Sequence, residues 1–206
     1  MTIWAIIPVK PLRRGKSRLS GVLGLEARTA LNHYLLSNTL DILSTIPEIE
    51  HSLVVSRDPE ALTIAREYGA RTVQEQGSPQ LNIALTRATM VALSHSVQGV
   101  LIIPADLPLL TSEDILDVIQ RAVNPPVVVI TPDRHQQGTN ALLVAPPGFI
   151  QYEFGPGSFN KHCLSAKKAG ARLEICQRKS VALDIDLPED LELAGYELID
   201  TNHWTE

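Results

Sequence analysis

The sequence predicts an α/β sandwich around a mostly parallel sheet. Two observations lead there. Short runs of strand-forming residues recur along the first two thirds of the chain, and several are apolar throughout rather than alternating, as in strands buried on both faces. Between them lie segments with three- and four-residue apolar spacing, so strand and helix alternate in the order that builds parallel sheets.

The first strand is read in "TIWAIIPV" at 2–9. A helix over 25–46 follows, because Leu31, Leu35, Leu36, Leu40, Leu43 and Ile46 fall on one helical face. "HSLVVS" at 51–56 is the next strand. Asp58 and Pro59 then supply a cap and first-turn residue for a helix at 59–68 that Gly69 closes. Strands are predicted at 71–75, 99–105 and 126–132, with helices at 79–95 and 112–122, the latter capped by Thr111 or Ser112. Beyond about residue 135 the pattern changes. "NALLVAP" reads as a strand, "GSFNKHCLSAKKAG" as a helix, "ARLEICQ" and "SVALDID" as short strands, and a terminal helix starts at Pro188. Without repeat, low-complexity segment or linker, residues 1–206 are expected to form one domain.

Composition narrows the class. With 44% hydrophobic and 20% charged residues the chain is of soluble globular type, and no apolar run approaches a membrane span. The apolar first strand lacks the features of a signal peptide, so the expected location is cytoplasmic. Cys163 and Cys176 are too few for a disulfide framework and match no zinc spacing. A net charge of -5 argues against a nucleic-acid surface. Against that acidity, "IIPVKPLRRGKSRLS" places Lys10, Arg13, Arg14, Lys16 and Arg18 in one loop at the end of the first strand. "GKS" at 15–17 is not a P-loop, since Lys10 stands where the first glycine is needed. Pro8 and Pro11 also remove backbone donors. Such a cluster can neutralise a triphosphate through its side chains, or it is a solvated basic loop.

Ligands of such folds sit at the carboxyl ends of the strands, which selects three further stretches. "LIIPADLPLL" puts Asp106 there, as an oxygen ligand for a hard cation or as a turn aspartate. In "VALDIDLPEDL", Asp184 and Asp186 project to the same side of an extended chain and repel unless a cation lies between them, although Asp186 could also cap the helix at Pro188. "GTNALLV" brings Thr139 before a strand, and Gly155, Gly157 and Ser158 open a helix whose amino end could hold a phosphate or carboxylate; both also read as ordinary turn glycines and a cap serine. The six histidines form no ligand spacing. His162 lies one turn after Ser158 and could approach an anion there, but reads more simply as a surface or packing residue. No nucleophile–base arrangement is visible.

Taken together and in order, "IPVKPLRRGKSRLS", "LNIAL" at 81–85, "IPADLPLL", "PDRHQQGTNALL", "FGPGSF" and "ALDIDLPEDL" resemble the guanylyltransferases of coenzyme F-420 biosynthesis, which activate 2-phospho-L-lactate or phosphoenolpyruvate with GTP. The resemblance spans roughly residues 3 to 195. It implies a three-layer fold like that of nucleotide-diphospho-sugar transferases, with Mg2+ on Asp106, Asp184 and Asp186. It further implies Lys10, Lys16 and Arg18 as catalytic and nucleotide-binding residues, Asn82 beside the nucleotide, and Thr139, Gly155 and Ser158 around the phosphorylated acid. One departure stands out: the family often has glycine directly before "LN", where this chain has Gly77-Ser78-Pro79-Gln80. The alternatives are a nucleotidyltransferase for another acceptor (3-phosphoglycerate, molybdopterin or a sugar acid) and a nucleotide-binding regulator without turnover. The Gly-rich opening of the molybdopterin enzymes is absent. A homodimer is among the assemblies the sequence allows.

Overall fold

The computed structural model describes residues 1–76 and 80–196. Strand β1 (Ile3–Val9) is an interior strand of the sheet. Its period of two sends Ile3, Ala5 and Ile7 into one apolar cluster and Trp4 and Ile6 into another, so helices are needed on both faces. On the first face pack α1 (Leu25–Ser44), α2 (Pro59–Glu67) and α4 (Ser112–Arg121); on the second pack α3 (Leu81–Leu93) and α5 (Ser158–Lys168). This is the predicted sandwich of three layers.

The remaining strands are β2 (Ile49–Ser56), β3 (Arg71–Gln74), β4 (Gly99–Ile102), β5 (Val127–Pro132), β6 (Thr139–Ala145) and β7 (Arg172–Ile175). They form one sheet in the order β3-β2-β1-β4-β6-β5-β7. Strands β3, β2, β1 and β4 are parallel neighbours, β6 is antiparallel to β4 and to β5, and β7 is parallel to β5. The amino end of β6 therefore lies at the same sheet edge as the carboxyl ends of its neighbours.

Most elements stand where the sequence puts them, and the caps confirm the reasons. Asp58 accepts a hydrogen bond from Glu60 N–H, and Thr111 makes a reciprocal capping box with Asp114. Strand β4 is shorter than its predicted 99–105, since Pro104 has no N–H to continue the ladder. The predicted helix start at Pro79 lies outside the described residues.

One element needs correction. "SVALDID" is not a strand: Lys179–Ala182 form a short helix, α6, and residues 183–187 run extended without joining the sheet. Their polar groups find other partners. Asn140 Nδ2 donates to Val181 O, and Ile185 N–H donates to Asp106 O at 3.1 Å. The segment is thus strapped across the end of the sheet before α7 (Pro188–Leu193) begins. Ile185, fully buried, drops into a third apolar cluster with Leu19, Leu23, Leu31, Leu35 and Leu191. That cluster joins the end of the basic loop to α1 and to the aspartate segment.

Candidate active site

A cleft of about 450 Å³ opens along the carboxyl ends of the parallel strands. Following the sheet order, its wall carries Glu75 after β3, Arg57 after β2, Lys10 after β1, Asp106 after β4, and Thr139 with Asn140 at the start of β6. Asp184 and Asp186 close it from the strap, and Lys16 from the basic loop.

The three aspartates converge. One oxygen from each of Asp106, Asp184 and Asp186 lies within 4.8 Å of the others. With Ile185 anchored in apolar contacts, the alternation of an extended chain turns both flanking carboxylates the other way, toward the cleft. The Asp184 carboxyl is pushed above its ordinary range, first by burial and then by the negative charge of Asp106, with Asp186 adding and the Asn140 amide opposing. Asp106 Oδ1 is buried without a hydrogen-bond partner. Asp186 is not the cap of α7; Leu187 holds that position, and Asp190, three residues into the helix, accepts from the N–H groups of Asp186 and Leu187 at 2.8 and 2.6 Å.

The five basic residues divide. Leu12 pins the loop: it is buried, its N–H donates to Asp58 at 2.7 Å, and its carbonyl accepts from Asn32 at 2.7 Å. Arg13 and Arg14 are left exposed, Arg13 beside the exposed Glu26. Lys10 lines the cleft, and Lys16 turns inward with a side chain only 6% exposed. Its Nζ lies 3.0 Å from Asp106 and 3.9 Å from Asp186, and donates to the Ile185 carbonyl. Lys16 adopts φ 55, ψ 36, a left-handed conformation that a lysine holds only where surrounding contacts impose it. Arg18 is 69% exposed at the rim, 3.5 Å from Asp186.

On the opposite side, Thr139 faces the cleft while its Oγ1 lies 3.0 Å from His162 Nδ1. His162 is fully buried, and its Nε2 accepts from Glu153 N–H at 3.0 Å. That acceptance fixes the tautomer. Nδ1 bears the proton and donates to Thr139, so the threonine hydroxyl must direct its own proton elsewhere. Burial lowers the His162 pKa to about 4, with nearby Lys161 adding, so the ring is neutral.

Gly155 and Ser158 do not line the cleft, whose wall ends at Phe154. Gly155 and Gly157 have φ of 124 and 71, conformations that favour glycine, and they swing the chain from Phe154 into α5. Ser158 is not the cap, a position held by Gly157. The first amides of α5 are already engaged: Ser158 N–H donates to Gly155 O and Phe159 N–H to Gln137 O. Asn82 is likewise outside the cleft wall. Its amide spans the Phe154 backbone, donating to the carbonyl at 3.1 Å and accepting from the N–H at 2.8 Å.

Sequence reasoning missed Asn140, Arg57 and Glu75. Asn140 is buried and donates to Asp184 as well as to Val181 O. Arg57 and Glu75 carry no motif, yet the strand-end rule that selected Asp106 would also have selected them.

An α/β sheet with this order, and a cleft joining lysines to an aspartate triad, defines a nucleotidyltransferase. Residues 3–198 match the family described as "Guanylyl transferase CofC like", and the chain belongs to that family. It is 41% identical over 191 residues, covering 93% of this chain and 92% of the relative, to the phosphoenolpyruvate guanylyltransferase of Rubrobacter xylanophilus. It is 37% identical over 188 residues, 90% of this chain and 81% of the relative, to the 2-phospho-L-lactate guanylyltransferase of Methanocaldococcus vulcanius. Among solved structures, a nucleotidyl transferase of Methanothermobacter superposes with a TM-score of 0.68 at 14% identity, over 94% of this chain and 96% of that one. A 4-diphosphocytidyl-2C-methyl-D-erythritol synthase superposes at 0.65 and 16% identity, over 97% and 99%. The chain is thus an enzyme of the guanylyltransferase class.

Proposed function

We propose that the protein transfers GMP from GTP to the phosphate of phosphoenolpyruvate, or of 2-phospho-L-lactate, and releases pyrophosphate as a step of coenzyme F-420 biosynthesis. The observation that carries this reading is the convergence of Asp106, Asp184, Asp186 and Lys16 at one end of a cleft, in a chain that matches the family along nearly its whole length. Seven bacterial relatives named phosphoenolpyruvate guanylyltransferase, 30–41% identical, favour phosphoenolpyruvate as the acceptor. GTP and both acids are intracellular metabolites, so the reaction belongs in the cytoplasm.

The chemistry needs little beyond placement. An oxygen of the acceptor phosphate attacks the α-phosphorus of GTP in line; a P–O bond forms there as the bond to the β-phosphate oxygen breaks. The acceptor is already anionic at neutral pH, so no general base is required, in keeping with a neutral His162 committed to Thr139. The difficulty is to bring two polyanions together. Lys10 receives the triphosphate, Lys16 offsets charge at the reacting end, and Arg18 guards the rim. Thr139 donates its hydroxyl proton to the acid, while Gly155 and Ser158, outside the cleft wall, act on it only through Phe154, after which they turn the chain into α5. Asn82, on α3 next to the lining residue Leu81, borders the nucleotide side from outside the cleft wall while its amide holds Phe154.

The aspartate cluster fits a divalent cation, because three convergent carboxylates outnumber the ammonium among them and a buried Asp106 oxygen is unpartnered. Asp106, Asp184 and Asp186 would hold Mg2+, which supplies charge neutralisation between the two substrates when bound. The test is pyrophosphate release with GTP and magnesium in the presence of phosphoenolpyruvate, 2-phospho-L-lactate or 3-phosphoglycerate. Release dependent on one of the first two supports the proposal and names the acid. Dependence on 3-phosphoglycerate alone, or no release with any of them, overturns it.

A further inference from the structure

The cleft continues past Lys10 to a part of the wall that the phosphates, the acid and the metal do not use. There Arg57 follows β2 and Glu75 follows β3. Glu75 N–H donates to Ser56 O at 2.9 Å, so β2 and β3 stay joined to their last residue and the Glu75 side chain starts from a fixed point. Its carboxylate lies 3.8 Å from Arg57 Nε, and the two side chains are 18% and 29% exposed. Besides this pair the cleft is lined by the apolar Pro8, Val55, Leu81, Ala84 and Ile102 and by the polar Gln80. An apolar wall beside a carboxylate suits a planar base.

The position is as telling as the chemistry. With the reacting phosphate at the aspartates and the acid toward Thr139, the nucleoside can extend only the other way along the sheet. Strands β4 and β3 stand three strand spacings apart, about 14 Å. That leaves room for a phosphate chain, a ribose and a base.

We propose that Glu75 is the specificity-determining residue that selects guanine, held in place by Arg57. A carboxylate only accepts hydrogen bonds, and guanine offers two donors side by side, N1–H and the 2-amino group. Adenine turns an unprotonated N1 to the same oxygens and is repelled. This inference rests on the GTP reading above.

Pyrophosphate release and nucleotide binding, measured with GTP, ITP and ATP, test it. ITP keeps N1–H but lacks the 2-amino group. Wild-type protein is expected to prefer GTP over ITP and, more strongly, over ATP. Glu75→Gln should weaken GTP by roughly 10- to 100-fold. ITP should weaken less, and ATP should be unchanged or improved, because the new amide can donate to adenine N1. Equal loss for all three nucleotides, or an unchanged GTP:ATP ratio, overturns the assignment and leaves Glu75 as a mere partner of Arg57. Glu75→Ala provides the same comparison if the amide variant does not fold. Absence of acid-dependent release from wild type with any nucleotide would instead defeat the GTP reading, so the two failures are distinguishable.

Discussion

At the scale of single residues, Asp106 and His162 represent two degrees of legibility. Asp106 could be found because it ends a strand, and strand ends are where ligands of this fold bind. Asp106→Asn keeps the shape, relieves repulsion on Asp184 and costs one charge partner of Lys16, which retains Ile185 O and Asp186. Because relieved repulsion offsets the lost partner, its unfolding free energy should fall by less than the roughly 3–5 kcal/mol that breaking a buried pair costs, while acid-dependent pyrophosphate release falls more than about 100-fold. Normal activity would remove the metal assignment. His162 looked like a packing residue, since burial and partners of one histidine cannot be read from spacing. In the structure it fixes which way Thr139 donates. A pH effect follows with a definite sign. The ring titrates near 6.5 when unfolded and at about 4 when folded, so between those values the unfolded chain binds more protons. The stability from keeping it neutral is full above pH 6.5 and is lost as pH falls toward 4, by about 3 kcal/mol. Denaturant unfolding across that window should show the slope in wild type and lose this component in His162→Gln. Parallel curves would contradict it.

At the scale of elements, the strap at 183–187 shows what apolar patterning misses. "VALDID" alternates as a strand does, but Val181 and Ala182 end α6, and the residues after them find their partners in loop ends and side chains rather than in a ladder. Nothing local in the sequence distinguishes the two. What decides is Ile185, whose insertion among Leu19, Leu31, Leu35 and Leu191 ties the aspartates to the loop that carries Lys16. Ile185→Ala should therefore cost about 2–4 kcal/mol of stability, read from denaturant unfolding. It should also reduce kcat at temperatures where the variant is still folded, since the aspartate segment and the Lys16 loop both lose one anchor. Full kcat in a destabilised variant would mean that the strap is held by its hydrogen bonds alone. The segment before α5 is secured differently. Asn82 grips the Phe154 backbone, and Tyr152 lies 2.7 Å from Thr89, whose hydroxyl donates to Leu85 O. Helix α3 and the entry to α5 are therefore stitched at two points.

At the scale of the whole molecule, the sheet works as a ruler, with each strand end adding one group to the cleft in the order Glu75, Arg57, Lys10, Asp106, Thr139. The strand order that produces this line was not readable from the sequence, because it depends on which strands pair and not on which residues form them. Substrates lying along the ruler would bridge β3-β2-β1-β4 to β6, so binding should stabilise the fold as a unit. With GTP and magnesium at about 100 times the dissociation constant, linkage adds about 2.7 kcal/mol. For a chain of 206 residues that raises the melting temperature by roughly 5–10 °C. GTP with a chelator should give a smaller shift, since three carboxylates then face the phosphates with Lys10, Lys16 and Arg18 alone among the proposed binding residues to offset them. Asp106→Asn should narrow the gap between the two conditions. Equal shifts with and without magnesium in wild type would separate the aspartate cluster from nucleotide binding and confine any metal to the chemical step.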